Sequence, residues 1–376
     1  MKIAVNTRLL IKNKLEGIGW FTYENLSRIT QQHSEHQFYF IFDRPHDESF
    51  IFSDNITPIE VFPQARHPFL YYLWFEQSIP RALKKINPDL FFSPDGYLSL
   101  RTPYKSMNVF HDLNFEHYPA DLPFFERKYY RHFFPKYAQK AARIATVSEY
   151  SKSDIVKQYG VSPDKIDVVY NGANETFAPL TGDQKKAVRA ERTEGSPYFV
   201  YVGALNPRKN LVNLFKAFDA FKSADQKGIK LLVVGEKMYW SDQIAKAYEQ
   251  MKYKQEVIFS GRLKLPELRE AVGAAIALTY VSYFEGFGIP IVEAFNAETP
   301  VITSNVTSMP EVAGDAALLI DPFSVDSICD ALNRMSSDEK LRQELIEKGK
   351  IQRKKFTWDK SAERLWNSME KVLAER

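Results

Sequence analysis

The stretch YFVYVGALNPRKNL, residues 198–211, decides the fold class. Its first five residues, Tyr198–Val202, form an apolar run that reads as a strand. Gly203 ends the strand at a point where the backbone can approach a neighbour closely. Arg208 and Lys209 follow, and Leu211 opens a helical pattern that runs to Ser223. A strand that feeds a helix across a short loop is half of a strand–helix–strand unit. Repeated units of this kind build a parallel sheet covered by helices on both faces.

The same alternation extends in both directions. C-terminal to this stretch come strands at Lys230–Val234, Val257–Ser260, Ile276–Val281, Val301–Thr303 and Ala317–Ile320. They alternate with helices from about Ser241 and over Pro266–Ala274, Pro290–Glu298 and Ser324–Ser336. Two more helices are expected over 338–354 and 358–375, the last capped by Thr357. On the N-terminal side, strands are expected at Lys2–Asn6, Phe38–Phe42, Ile59–Phe62, Asp89–Phe92, Lys105–Phe110, Ala141–Val147 and Ile166–Val169. Helices are expected from Trp20 to about Thr30 and over 70–86, 123–142 and 151–159, with Pro135 interrupting the third of these four. Residues 171–196 break the rhythm with turn formers followed by a charged run, and are read as the linker. The expected fold class is therefore α/β, with two domains at 1–180 and 195–356.

Composition narrows the function. A chain of 376 residues suits two α/β domains, and 44% apolar residues fill two cores. A net charge of +3, with both signs dispersed, argues against a nucleic-acid binder. The single cysteine, Cys329, excludes an intrachain disulfide framework, fits a reducing compartment and reads as a buried, inert thiol. No cysteine or histidine cluster has metal-ligand spacing. The opening MKIAVNTRLL lacks the pattern of a signal peptide, and no run approaches the ~18 apolar residues of a membrane span. The expectation is a soluble, cytoplasmic protein, at most peripheral on the inner membrane face.

Ligands of such sheets bind beyond the strand carboxyl ends, so the loops there are where the chemistry is expected. Gly203 with Arg208 and Lys209 offers a backbone approach and two cations at a helix N-terminus, an arrangement suited to a phosphate. In YFEGFGIPIVEAF, residues 283–295, Glu285 precedes the tight loop Gly286-Phe287-Gly288, and Glu293 lies about one turn into the next helix. Two carboxylates at different depths can accept from sugar hydroxyls, although a hydrolase pair has the same residue types. His111 and Asp112 follow the strand ending at Phe110, Ser148 stands at another strand end, and Gly17-Ile18-Gly19 forms a Gly-rich turn ahead of a helix.

Together these stretches resemble glycosyltransferase family 4, retaining enzymes of the GT-B fold. The resemblance runs in order along nearly the whole chain: GIGWFTYENL, HDLNFEHYP, ATVSEYSKSDI, VVYNGANETF, YVGALNPRKNL, EGFGIPIVEA, SMPEVAGDAALLIDP and FTWDKSAE. It implies two Rossmann-like domains with parallel sheets facing across a cleft, and a C-terminal helix, 357–376, packing back on the N-terminal domain. It also implies that Gly19, Arg208 and Lys209 bind the donor diphosphate, with Gly203 beside them. His111 and Glu285 would lie at the donor sugar and reacting centre, the amides of Phe287 and Gly288 on sugar hydroxyls, and Glu293 on the ribose. NGAN at 171–174 departs from the family, which often carries an acid after the glycine. The HDLNFEHYP segment with the basic, aromatic helix after it resembles bacterial mannosyltransferases of surface polysaccharide synthesis. That resemblance implies a nucleotide-sugar donor, first GDP-mannose and then UDP-glucose or a UDP-N-acetylhexosamine, and a glycan or lipid-linked acceptor. A two-lobed sugar-binding protein and an epimerase of the same fold are the competing readings. No Asp-X-Asp occurs, so no metal and no cofactor are expected. Residues 124–143 mix cations with aromatics and leave two readings open: a face that sits on an anionic leaflet, or Tyr130, Phe133, Phe134 and Tyr137, at helical spacing, packed on the sheet with the cations as a solvated face.

Overall fold

The computed structural model describes residues 1–225, 227–236 and 240–374. Glu375, at the end of the expected last helix, lies outside the described residues. The chain divides into two compact units, Met1–Gly172 with Thr357–Arg376, and Ala173–Phe356.

The first unit holds seven parallel strands: β1 (Lys2–Asn6), β2 (Gln37–Phe42), β3 (Ile56–Glu60), β4 (Leu90–Ser93), β5 (Ser106–Phe110), β6 (Arg143–Thr146) and β7 (Ile166–Val168). Their spatial order is β3-β2-β1-β4-β5-β6-β7. The second unit holds six: β8 (Tyr198–Val202), β9 (Lys230–Val234), β10 (Val257–Gly261), β11 (Ala277–Tyr280), β12 (Val301–Ser304) and β13 (Leu318–Ile320), in the order β10-β9-β8-β11-β12-β13. These two parallel sheets are Rossmann-like. Strand order reverses between β1 and β4 in one unit and between β8 and β11 in the other. Those reversals open a crevice at the strand carboxyl ends. Most strands are buried along nearly their full length, which is why they read as unbroken apolar runs.

Several local expectations change. The charged run read as linker forms the helix Gly182–Thr193, because Thr181 and Gln184 close a capping box at its start. The expected helix 70–86 carries a π-turn, Trp74–Ser78, between the α-helices Pro68–Leu73 and Ile79–Ile86. Pro80, which has no N–H to donate, stands where the second of these α-helices begins. Pro135 does not end the helix Phe124–Lys140, which runs through it. Tyr129, Phe134, Tyr137 and Ala138 anchor that helix in the core on either side of the proline. Gly17-Ile18-Gly19 is not a loop but the first turn of the helix Gly17–Gln32. Cys329 is only partly buried, packed against the second core.

In the first unit the last helix, Trp358–Ala374, packs on the helix Gly17–Gln32. Thr357 caps it through Lys360 N–H, Arg28 pairs with Asp359 at 2.7 Å, and His33 stacks on Trp366 at 3.8 Å.

Candidate active site

In the second unit the site grows from two strand ends that flank the reversal. β8 is followed by Gly203, whose φ is 151°, and β9 by Gly235, whose φ is 155°. A Cβ at Gly235 would stand 1.9 Å from the Gly203 carbonyl oxygen. Glycine there is a requirement of packing between the two loops. Beyond Gly203, Asn206 accepts from Lys209 N–H and fixes the short turn Pro207–Lys209. Asn210 then takes a left-handed conformation, and its amide reaches the carbonyls of Val281 and Pro322 at 3.0 and 2.7 Å. This lock sets where Arg208 and Lys209 point.

Both cations converge on Glu285 from the end of β11. Arg208 lies 2.7 Å from Oε2 and Lys209 lies 2.5 Å from Oε1. Arg208 also donates to the Phe284 carbonyl at 2.9 Å. Lys209 Nζ donates to the Tyr280 hydroxyl at 2.7 Å and sits over that ring. Burial alone would raise the Glu285 carboxyl; the two cations and their hydrogen bonds override it and hold it at about 2. The sequence suggested two cations with no anion partner. The structure supplies one, leaving a single net positive charge on the cluster.

The loop after Glu285 is tied down from one side. The Ser308 hydroxyl donates to the Glu285 carbonyl at 2.9 Å and the Phe287 carbonyl at 3.1 Å. Phe287 is buried edge-on against Phe356. Gly288, at φ 104°, caps the helix Ile289–Asn296 with Pro290 in its first turn. Glu293, one turn in, is partly accessible yet closely surrounded by protein, and burial pushes its carboxyl up to about 7. Among the described residues no cation and no hydrogen-bond donor meets that carboxylate, so it is poised to accept from a ligand.

Gly17, Gly19, His111, Asp112 and Ser148 belong to the first unit. Gly19 is buried under the Leu9–Leu15 loop, where a Cβ would stand 3.1 Å from the Leu9 carbonyl, whereas space around Gly17 is open. His111 follows β5 and sits edge-on to Phe21. Its Nε2 lies 2.8 Å from the Pro94 carbonyl, which can only accept, so Nε2 carries the proton. Burial lowers its pKa, and the neutral ring presents Nδ1 as an acceptor. Asp112 accepts from Asn114 N–H and Ser148 from Ser151 N–H. Those contacts make turn and cap roles for both.

One cluster was not singled out in the sequence. Arg8, just past β1, pairs with Asp95, just past β4, at 2.5 Å, and Asn6 bridges Ser93 and Asp95. The Arg8 guanidinium lies 4.6 Å from the Tyr97 ring and 5.3 Å from Tyr71. Both runs, Asn6-Thr7-Arg8 and Ser93-Pro94-Asp95, start on the last residue of a strand at the reversal, which was the available signal. Among the described residues no group of three or more His, Cys, Asp or Glu is arranged to hold a metal, and no helix is long and apolar enough to cross a membrane.

The chain is similar to known glycosyltransferases. Residues 16–177 match the model of Glycosyltransferase Family 4, and residues 183–352 that of Glycosyl transferases group 1. The chain is 27% identical over 376 aligned positions to O-antigen chain mannosyltransferase B of Escherichia coli, covering 96% of this chain and 97% of that protein. It is 28% identical to O-antigen chain mannosyltransferase RfbU of Salmonella typhimurium, over 60% of this chain and 62% of that one. Among solved structures, WaaG, a glycosyltransferase involved in lipopolysaccharide biosynthesis, aligns over 100% of both chains with TM-score 0.76 at 16% identity. Anabaena HepE in complex with UDP-glucose aligns over 99% of this chain and 100% of its own, with TM-score 0.73 at 13% identity. Both structural likenesses concern the fold, which is that of the GT-B glycosyltransferases.

Proposed function

The chain belongs to the family 4, group 1 glycosyltransferases, and from that premise we propose that it moves mannose from GDP-mannose to a glycan or lipid-linked acceptor, with retention at the anomeric carbon. The observation that carries this reading is the buried Arg208–Glu285–Lys209 cluster beside the β8/β11 reversal. It keeps a net positive charge where a strand end meets a helix start, which suits a diphosphate. The names of the two O-antigen relatives favour mannose.

In this reading the donor diphosphate lies against Arg208 and Lys209, and negative charge grows on it as the glycosidic bond breaks. Fixed cations in a buried site stabilise that charge without reorganising. Glu285, held at about 2, is ionised at neutral pH and therefore orients groups rather than donating a proton. The leaving phosphate oxygen takes the acceptor proton as the acceptor attacks from the same face. The amides of the Gly286-Phe287-Gly288 loop meet sugar hydroxyls. Glu293, which no donor or cation meets among the described residues, accepts from the ribose hydroxyls. No metal or cofactor takes part, so transfer continues at an undiminished rate in EDTA. A loss rescued by magnesium or manganese would overturn that statement. Peripheral contact with the cytoplasmic membrane face would bring the enzyme to a lipid-linked acceptor.

A thermal-shift series with GDP, UDP and their sugars tests the donor. A ligand at 100 times its Kd adds ~2.7 kcal/mol. GDP and GDP-mannose are expected to shift the melt, and only GDP-mannose to be turned over with acceptor. Turnover of UDP-glucose or a UDP-N-acetylhexosamine in its place would refute the donor assignment.

A further inference from the structure

We propose that the second unit carries a second anion site, for the phosphate ester of a small polyhydroxylated molecule, at the end of its sheet opposite Arg208 and Lys209. A pocket of about 320 Å³ opens there. Pro197, Ile229, Ile276 and Pro300 line it, and each is the residue immediately before a strand: β8, β9, β11 and β12 in turn. Those four strands are neighbours in the sheet, so the floor of the pocket is the row of their amino ends. β8 is five residues long, which puts about 17 Å of buried strand between this floor and the candidate active site.

The walls are cationic. Lys185 and Arg189 lie one turn apart on the helix Gly182–Thr193, Lys227 stands in the loop before β9, and Arg342 comes from the helix Glu339–Gln352. Two carboxylates, Glu298 and Glu339, line the same pocket. Both are already engaged, Glu339 with Arg342 in its own helix and Glu298 with Lys350 at 3.3 Å. Among the described residues no carboxylate pairs with Lys185, Arg189 or Lys227. Main-chain carbonyls hold two of the three in place: Arg189 Nε donates to Ala274 at 2.9 Å, and Lys227 Nζ to Ser336 at 2.7 Å. The first contact uses the inner nitrogen of the guanidinium and leaves its terminal pair for a ligand. Lys185 has no hydrogen-bond partner among the described residues. Its pKa is lowered by burial and then by repulsion from Arg189, which Glu298 and Glu339 offset only in part. Like charges one turn apart oppose the helix that carries them, and an anion between them reverses that cost.

The donor set selects the ligand. Arg189 suits two oxygens of one phosphate, and the lysines supply point charges. A carboxylate brings one negative charge to three unpaired cations, whereas a phosphate monoester brings about 1.5 to 2 at neutral pH. Glu298 and Glu339 repel any further negative charge and accept from hydroxyls. A single phosphate on a hydroxyl-bearing frame satisfies both kinds of wall. The volume stands at the lower end of ligand sites, about 300–1,000 Å³, which suits one sugar-sized ring rather than a nucleotide. None of these residues belongs to the proposed donor site, so failure here leaves the transferase assignment standing.

The test is isothermal titration calorimetry of the full chain, with no donor or acceptor present, against hexose 1- and 6-phosphates, inorganic phosphate and free glucose. A hexose phosphate is expected to bind more tightly than inorganic phosphate, and free glucose not to bind. K185Q/R189Q should weaken binding by about a hundredfold or more, since each lost charge-assisted contact counts about tenfold or more. Its melting temperature should equal or exceed that of wild type, because a repulsion is relieved. Lys227→Gln, in an exposed loop, should weaken binding by about tenfold and decides the matter if the double variant does not fold. Lys209→Ala should leave this binding unchanged, which separates the pocket from the candidate active site. Absence of binding by every hexose phosphate, binding that survives the pocket variants, binding lost in Lys209→Ala, or inorganic phosphate binding as tightly as the esters would overturn the proposal.

Discussion

Glu285→Gln isolates what one buried carboxylate contributes. In the folded protein it faces Arg208 at 2.7 Å and Lys209 at 2.5 Å, with side-chain exposures of 8, 19 and 11% for the three residues in that order. Glutamine keeps the shape and removes the charge. Two routes to the cost agree. A carboxyl held at about 2 against an ordinary 4.5 corresponds to about 3 kcal/mol, and removing one partner of a buried ion pair costs about 3–5 kcal/mol. For a unit of this size, about 3 kcal/mol lowers Tm by roughly 6–12 °C. The folded value lies below the unfolded one. The stabilisation is therefore complete above the unfolded value of 4.5 and is lost as pH falls towards about 2. Differential scanning fluorimetry of wild type and variant should give a gap that is flat across neutral pH and closes in acid. A second effect has the opposite sign. Without the carboxylate, the two cations lack their compensating charge, so pyrophosphate should stabilise the variant more than the wild type. Turnover should fall further than donor affinity, since the cations remain but lose their fixed orientation. A variant that melts with the wild type at neutral pH, or gains less from pyrophosphate, would refute the reasoning.

Three further outcomes are expected. Lys209→Ala and Arg208→Ala should each lower kcat/KM for the donor by roughly 10–200-fold, the kinetic equivalent of about 1.5–3 kcal/mol for a charge-assisted contact. Initial rates against donor concentration check this, and unchanged kinetics in both would remove the phosphate role. Glu293→Gln should raise the donor KM, and wild-type donor binding should weaken as pH falls through about 7, where the carboxylate protonates. Because burial raises that group above its unfolded value of 4.5, ionisation destabilises the fold increasingly between 4.5 and about 7. The glutamine variant should therefore melt above wild type at alkaline pH and with it in acid; calorimetry across pH decides. Gly235→Ala should destabilise by at least about 1–3 kcal/mol from its backbone conformation alone, with the approach of 1.9 Å to the Gly203 carbonyl added. A chemical denaturation midpoint equal to wild type would show that the two loops separate freely.

What the sequence made legible, and what it hid, follows from the range of the interactions involved. Strands such as Tyr198–Val202 and Lys230–Val234 are buried on both faces, so their apolar runs show without knowledge of any partner. Strand ends were equally visible, which is why Gly203, Arg208, Glu285 and His111 could be chosen as candidates. Local pattern misled where capping outweighed composition. The charged run after Thr181 looked like linker, yet its capping box satisfies two orphan amides and lets a polar helix form. The pairing of Glu285 with two cations more than seventy residues earlier could not be read at all, because it depends on β8 and β11 lying side by side across the reversal. Gly235 was invisible for the same reason, as its constraint is the carbonyl of a neighbouring strand's end. Arg8 and Asp95 meet likewise only because β1 and β4 are neighbours. The exposed rings of Phe69, Phe124 and Phe125 were hidden inside a general aromatic richness until packing removed the others from view. Helical spacing already offered Tyr130, Phe133, Phe134 and Tyr137 as residues that pack on the sheet, and the fold puts them in or against the core. The chemistry proposed for this chain thus rests on residues found one at a time at strand ends, and on electrostatics that arise only when parallel strands bring those ends together.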